Sequence, residues 1–216
     1  MSDESKDRRP LASRDTPLAR KMAARLAQTS ITPNQISYGS MIAAALSFAC
    51  FYAFGVTALG LSSVWLILAA IFCQLRLACN LFDGMVAIEA GKQTADGAFW
   101  NEFPDRIADL LIIVGFGLAA GNITLGWAAA TLAILVSYVR ELGKGIDGVV
   151  DFIGPMAKPH RMALVTATCV IAALIARWRP SQTTLFLGMV VLLLGSALTV
   201  LRRGSRILRR LNLAKT

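Results

Sequence analysis

LAQTSITPNQISYGSMIAAALSFACFYAFGVTALGLSSVWLILAAIFCQL, residues Leu26–Leu75, contains no Asp, Glu, Lys or Arg. The run is too long for one helix across about 30 Å of hydrocarbon, which takes about 20 residues. Its weak point is Gly55 to Ser63, where Gly55, Gly60, Ser62 and Ser63 gather. Turn-forming residues inside an apolar run mark a break. Two membrane spans are therefore expected, near 36–55 and 62–87. A second uncharged run goes from Leu110 to Val139 and is divided by Gly121-Asn122. A third span long enough to cross must begin before Leu110, near Glu102 or Phe103. The fourth then runs from about Ile123 to Glu141. A fifth is expected near 160–177, and Pro180 opens a sixth from Ser181 to Leu201.

Composition agrees with this reading. The chain has 216 residues, of which 56% are hydrophobic and only 16% charged, with a mean hydropathy of +0.59. A soluble domain carries about 25% charged residues. An ordinary water-soluble globule is excluded. The length is too short for a transporter of a dozen spans but ample for about six. Lys and Arg number 22 against 13 Asp and Glu, a formal net charge of +9. In a membrane protein such an excess marks the cytoplasmic side and anionic headgroups, and no nucleic-acid partner is implied.

The basic residues sit at both ends. Lys6, Arg8, Arg9, Arg14, Arg20, Lys21 and Arg25 precede the first span, and Arg202, Arg203, Arg206, Arg209, Arg210 and Lys215 follow the last. Six spans put both termini on one side, and the positive-inside rule makes that side the cytoplasm. Arg177 and Arg179 run against the rule, in the outer turn before the sixth span. The expected division is a tail with a surface helix over 1–34, a six-helix transmembrane catalytic domain over 35–203, and a basic tail over 204–216. Within Pro17–Leu26, Leu18, Met22 and Leu26 recur at i, i+4 and i+8, with Arg20, Lys21 and Arg25 off the stripe. That spacing predicts an amphipathic helix on the inner membrane surface. No short basic start leads into an apolar stretch with a cleavage site, so no signal peptide is expected. Cys50, Cys73, Cys79 and Cys169 lie in apolar surroundings without metal-ligand spacing and read as inert buried thiols.

Acidic residues in membrane spans are expensive, which makes them functional candidates. The second span ends in Asn80-Leu-Phe-Asp83-Gly84-Met-Val-Ala87. The third begins Gly97-Ala-Phe-Trp-Asn101-Glu102-Phe-Pro-Asp105-Arg106-Ile-Ala-Asp109. Asn80 and Asp83 share a helix face, and Asn101, Asp105 and Asp109 line one stripe. Two such helices facing each other bring at least three carboxylates together. A divalent cation with oxygen ligands resolves their repulsion, and Mg²⁺ suits a site that also holds phosphate. The plain alternative is helix-end charges in water, with Arg106 pairing to Glu102 or Asp109.

These residues resemble the signature of the CDP-alcohol phosphotransferases, D-x-x-D-G-x-x-A-R-x8-G-x3-D-x3-D. Asp83, Gly84, Ala87, Gly97 and Asp105 fall in register, and Thr32-Pro33-Asn34 resembles the Thr-Pro-Asn common before the first span in that family. The chain departs at Asn80, Ile88 and Asn101, where the family has Asp, Arg and Asp. Asp109, one turn beyond Asp105, restores a displaced D-x3-D pair.

The resemblance implies an all-α integral membrane enzyme of about six transmembrane helices with a surface helix, and it suggests a homodimer. It implies transfer of a phosphatidyl group from CDP-diacylglycerol to an alcohol acceptor in the lipid bilayer, with release of CMP. Asp83, Asp105 and Asp109 would hold Mg²⁺ or Mn²⁺, with Asn80 and Asn101 as neutral ligands or hydrogen-bond partners. Gly84, Ala87 and Gly97 would face the CDP-linked donor. An Asp would act as base: strict register names Asp105, and the displaced register names Asp109, to which the reading leans. Arg140, Lys158 and Arg161 would surround the acceptor and its phosphate, or else be loop charges that set topology. Two rival donors, CDP-choline and CDP-ethanolamine, keep the same chemistry. An inactive family member or a small ion-coupled carrier would not.

Overall fold

The computed structural model describes residues 16–57, 62–89, 91, 96–176, 178 and 180–213. They form seven helices and, among the described residues, no strand. The helices are α1 (Pro17–Ala27), α2 (Pro33–Val56), α3 (Ser62–Glu89), α4 (Gly97–Ala119), α5 (Ile123–Asp147), α6 (Lys158–Leu174) and α7 (Ser181–Leu213). The architecture is the expected all-α membrane bundle. Of the described helices, α2, α3, α5 and α7 are each long and apolar enough to cross a membrane. Helix α4 carries Glu102, Asp105, Arg106 and Asp109 in its first half, and α6 has 17 residues.

Local chemistry places the helix starts. Thr16 and Thr32 each cap a helix whose first residue is proline. Proline suits that position because its missing N–H would have no partner there. At α2 the Thr32 hydroxyl accepts from the Gln35 N–H at 3.2 Å, and the Gln35 side chain accepts from the Thr32 N–H at 3.0 Å. This reciprocal capping box satisfies two otherwise orphaned donors. The break between α4 and α5 is made by Gly121, at φ 72°, and by Asn122, whose side chain accepts from the Leu125 N–H.

Helices α2, α3, α6, α7, α5 and α4 touch in that order, and α4 closes the ring onto α2. Phe51, Leu66, Ile112, Phe116, Met162, Leu185 and Met189 fill the centre. The glycines of α4 permit close packing, as small residues do between membrane helices. Gly115 faces Phe48 and Phe51, and Gly117 meets the backbone of Gly126 on α5. Helix α1 lies against α3 through Ala19 and Ala23, which meet Met85, Leu81 and Phe82. Leu18 and Met22 of the expected apolar stripe stay exposed.

Helix α4 begins at Gly97, ahead of the expected start near Glu102 or Phe103, and two helices run well past their expected ends. Helix α5 continues to Asp147 and stops at Gly148, whose φ of 72° suits a left-handed helix end. Helix α7 continues through the basic segment to Leu213. Its extension is anchored: buried Arg203 donates to the carbonyls of Ile153 and Val136 at 2.9 and 2.7 Å, and Arg210 pairs with Asp147 at 2.6 Å. These bonds tie the 148–157 connection to the bundle and so set where α6 begins.

Candidate active site

Arg76, Asn80 and Asp83 stand at i, i+4 and i+7 on α3, one face of the helix. Asp105 and Asp109 stand one turn apart on α4, and Lys158 and Arg161 belong to the first turn of α6. Because α3 and α4 run in opposite directions, their side chains meet in layers about 6 Å apart, four residues of helix rise.

The deepest layer is an ion-pair lattice. Arg76 and Arg161 are fully buried and Asp109 is 1% exposed. Asp109 Oδ1 accepts from Arg76 Nη2 at 2.7 Å, and Oδ2 from Arg161 Nη2 at 2.6 Å. Arg161 also donates from Nη1 to the Met156 carbonyl at 2.8 Å. Both carboxylate oxygens of Asp109 are therefore engaged by guanidinium. The Nε and Nη1 of Arg76 have no protein partner.

The middle layer joins α3, α4 and α6. Asp105 Oδ1 accepts from Asn80 Nδ2 at 2.9 Å and from Arg76 Nη2 at 3.2 Å. The Lys158 ammonium donates to Asn80 Oδ1 and to Asp105 Oδ2. The flanking Arg106 lies 3.8 Å from the same Asp105 oxygen and is held by Glu102 at 3.1 Å and by the Ser137 hydroxyl.

Asp83 forms the outer layer. Its Oδ2 accepts from Ser37 Oγ on α2 at 2.9 Å, and its Oδ1 from the Gly84 N–H at 2.6 Å. It lies within electrostatic reach of Asp105 and Lys158. A Cβ built on Gly84, the next residue, would meet nothing within 4 Å among the described residues beyond its chain neighbours.

The structure thus brings together Asn80, Asp83, Asp105, Asp109, Lys158 and Arg161. Asn101 belongs to α4, but its side chain lies outside the described residues. Gly97 is the first residue of α4 and Ala87 is in the last turns of α3. Arg140 stands apart: it pairs with Glu102 and Glu141 at 2.8 and 2.7 Å, with its guanidinium 5.9 Å from the Phe152 ring. Among the described residues, no three of His, Cys, Asp and Glu form a ready metal-binding group. The carboxylates are divided among cations of the chain itself. Sequence reasoning missed Arg76 and Ser37. Arg76 carried a usable signal, because a charge inside an apolar span needs a partner. Ser37 carried none.

No family model matches the chain. It is 30% identical over 133 residues to the inner membrane protein YnbA of Escherichia coli (strain K12), covering 61% of this chain and 66% of that protein. It is 30% identical over 102 residues to the archaetidylinositol phosphate synthase of Methanothermobacter thermautotrophicus, covering 46% and 51%. The chain thus spans between half and two thirds of the length of these relatives. Its fold superposes on the crystal structure of Mycobacterium tuberculosis phosphatidylinositol phosphate synthase (PgsA1) with CDP-DAG bound. The TM-score is 0.71 at 18% identity, over 89% of this chain and 94% of that one. The same enzyme in complex with manganese and citrate superposes with a TM-score of 0.69 at 19% identity, over 87% and 88%. Asp83-Gly84, Ala87, Gly97 and Asp105 stand in register on the two helices that build this site, which agrees with the resemblance to the CDP-alcohol phosphotransferases, and the chain shares the fold of the solved phosphatidylinositol phosphate synthase.

Proposed function

We propose that the chain is a membrane transferase that moves a phosphatidyl group from CDP-diacylglycerol to an alcohol and releases CMP, with a divalent cation required. The observation that carries this reading is that Asp83 on α3 and Asp105 on α4 are both buried and within electrostatic reach of each other. Support comes from the solved relative that holds CDP-DAG and the one that holds manganese. The basic ends of the chain favour a site on the cytoplasmic side of an inner membrane. A homodimer is the assembly this reading favours.

A divalent ion would have to displace the Lys158 and Arg76 contacts at Asn80 and Asp105, since among the described residues no ready metal group is formed. Asp83, Asp105 and the Asn80 amide supply only oxygen, the preference of Mg²⁺ and Mn²⁺. Asp109 does not belong to that set, because guanidinium groups hold both of its oxygens. When bound, the divalent ion would neutralise the diphosphate and the charge gathering on departing CMP.

The chain's own residues divide the remaining work. The acceptor hydroxyl oxygen forms a bond to the phosphatidyl phosphorus as the bond from that phosphorus to the CMP oxygen breaks. The hydroxyl proton goes to a carboxylate. We assign that carboxylate to Asp105, where the displaced register favoured Asp109. Asp105 is 6% exposed, whereas Asp109 is 1% exposed, one turn deeper and held by guanidinium on both oxygens. A base must reach the proton it takes. Arg161, whose guanidinium is spent on Asp109 and Met156, acts on the site by holding α6 to α4. Lys158 and Arg140 remain the basic residues proposed for the acceptor side.

CMP release from CDP-diacylglycerol by the purified protein, with a panel of free and phosphorylated alcohols, tests the reading. Release should need both an alcohol and Mg²⁺, and Asp83→Asn should abolish it while membrane insertion persists. Release only from CDP-choline or CDP-ethanolamine would replace the donor. Wild-type turnover by Asp83→Asn across a Mg²⁺ titration would overturn the assigned site.

A further inference from the structure

Beside Asp105 the chain carries charges in alternating order: Arg106, Glu102, Arg140, Glu141. Arg106 Nη2 lies 3.8 Å from Asp105 Oδ2 and 3.1 Å from Glu102 Oε1. The same Glu102 oxygen accepts from Arg140 Nη2 at 2.8 Å. Glu141 Oε1 accepts from Arg140 Nε at 2.8 Å and lies 2.7 Å from its Nη2. The guanidinium fork is what grips a phosphate two-handed, and on the Nε–Nη2 edge of Arg140 carboxylates already fill it. The Glu102 and Glu141 side chains are 39% and 48% exposed, those of Arg106 and Arg140 18% and 20%. A solute arriving from water therefore meets the carboxylates first. The neighbouring arginines offer no substitute. Arg161 is spent on Asp109 and the Met156 carbonyl, and Arg203 on the carbonyls of Ile153 and Val136. Arg76 is fully buried in the layer beneath Asp105. Lys158 is a point charge without a fork. A phosphate dianion would have to part Arg140 from both glutamates and then stand beside them, like charge against like. A free hydroxyl gains instead, because glutamate oxygens accept its proton in a hydrogen bond.

We propose that Glu102, with Glu141, selects against phosphorylated acceptors, so that the acceptor of this chain is an alcohol bearing no phosphate. This inference rests on the transferase reading above and adds the class of acceptor and the residues that set it. Glu102 is the deciding one, because a single oxygen of it engages guanidiniums from two helices, Arg106 on α4 and Arg140 on α5.

CMP release from CDP-diacylglycerol by the purified full-length protein, with glycerol, inositol and serine each set beside its own phosphate monoester, tests the proposal. In every pair that supports release, the free alcohol should have a kcat/KM at least about 10-fold above that of its phosphorylated partner. Glu102→Gln should narrow that gap by about 10-fold, because it removes one repelling charge and loosens Arg106 and Arg140 together. A wild type that prefers the phosphorylated member of a pair would overturn the proposal, even if the variant failed to fold, and would leave the transferase reading standing. A folded Glu102→Gln protein with the wild-type preference would also overturn it. No CMP release with any of the six compounds would instead refute the transferase reading, and the proposal with it.

Discussion

Asp109→Asn separates a structural acid from a catalytic one. The substitution keeps the size of the side chain and one carbonyl oxygen but removes the charge. Arg76 and Arg161, both fully buried, would then face a neutral amide. Breaking a buried ion pair from one side costs about 3–5 kcal/mol, because an uncompensated charge stays behind. In a chain of this size each kcal/mol moves the melting temperature by about 2–4 °C. The expected drop is therefore about 6–20 °C, measured by thermal unfolding in detergent. Arg161→Met should cost a similar amount. The double variant should be more stable than the sum of the two losses, by about 1–3 kcal/mol of coupling, because removing both partners leaves less unpaired charge. Turnover of the folded fraction should fall far less than for a lost general base. An Asp109→Asn protein with the wild-type melting temperature and a loss of kcat above about 100-fold would refute this reasoning and return the base to Asp109.

Three further outcomes follow from the geometry. Asp105→Asn should lower kcat by about 10²–10⁴-fold with a smaller melting shift than Asp109→Asn, since Asn80 can still bond to its amide; unchanged kcat would remove Asp105 as base. Gly84→Ala should leave the melting temperature unchanged or slightly raised, because its Cβ meets nothing within 4 Å. It should raise the KM for the CDP-linked donor, and an unchanged KM would mean that the donor does not use this space. Gly117→Ala should destabilise the bundle by about 1–3 kcal/mol, because the new methyl runs into the backbone of Gly126; equal stability in chemical denaturation would contradict the close α4–α5 approach.

Much of the fold was legible because hydrophobic length and turn chemistry act locally. The breaks at Gly55–Ser63 and at Gly121-Asn122 separate helices where expected, and Thr32-Pro33 starts α2 with a capping box. Helix ends were less legible. Hydropathy marks where a span leaves the apolar layer, not where its helix stops. Helix α7 therefore runs on to Leu213, because Arg203 and Arg210 find partners on the 148–157 connection and at the end of α5. Positions in the site were visible from spacing, but partners were not. Arg140 and Arg161 read alike, as basic residues near loop ends. Only tertiary packing sends one to Glu102 and Glu141 and the other to Asp109.

Arg76 gives the reason for proposing Asp105 rather than Asp109 as base. A guanidinium buried inside an apolar helix costs several kcal/mol unless an anion meets it. Asp109 is that anion, one turn deeper than Asp105 and at the level of Arg76. On the proposed reading, the D-x3-D spacing at Asp105 and Asp109 meets two separate demands, one acid for chemistry and one for charge balance. A helix repeats its face about every four residues, so both demands fall on the same stripe and produce the same motif. The two can be told apart only by what each carboxylate touches. Asp105 shares its oxygens with an amide, the Arg76 guanidinium and a flexible ammonium, while Asp109 is held between two guanidiniums. A lysine stem is flexible, whereas both oxygens of Asp109 are engaged by buried guanidiniums. The acid proposed as base is therefore the shallower one.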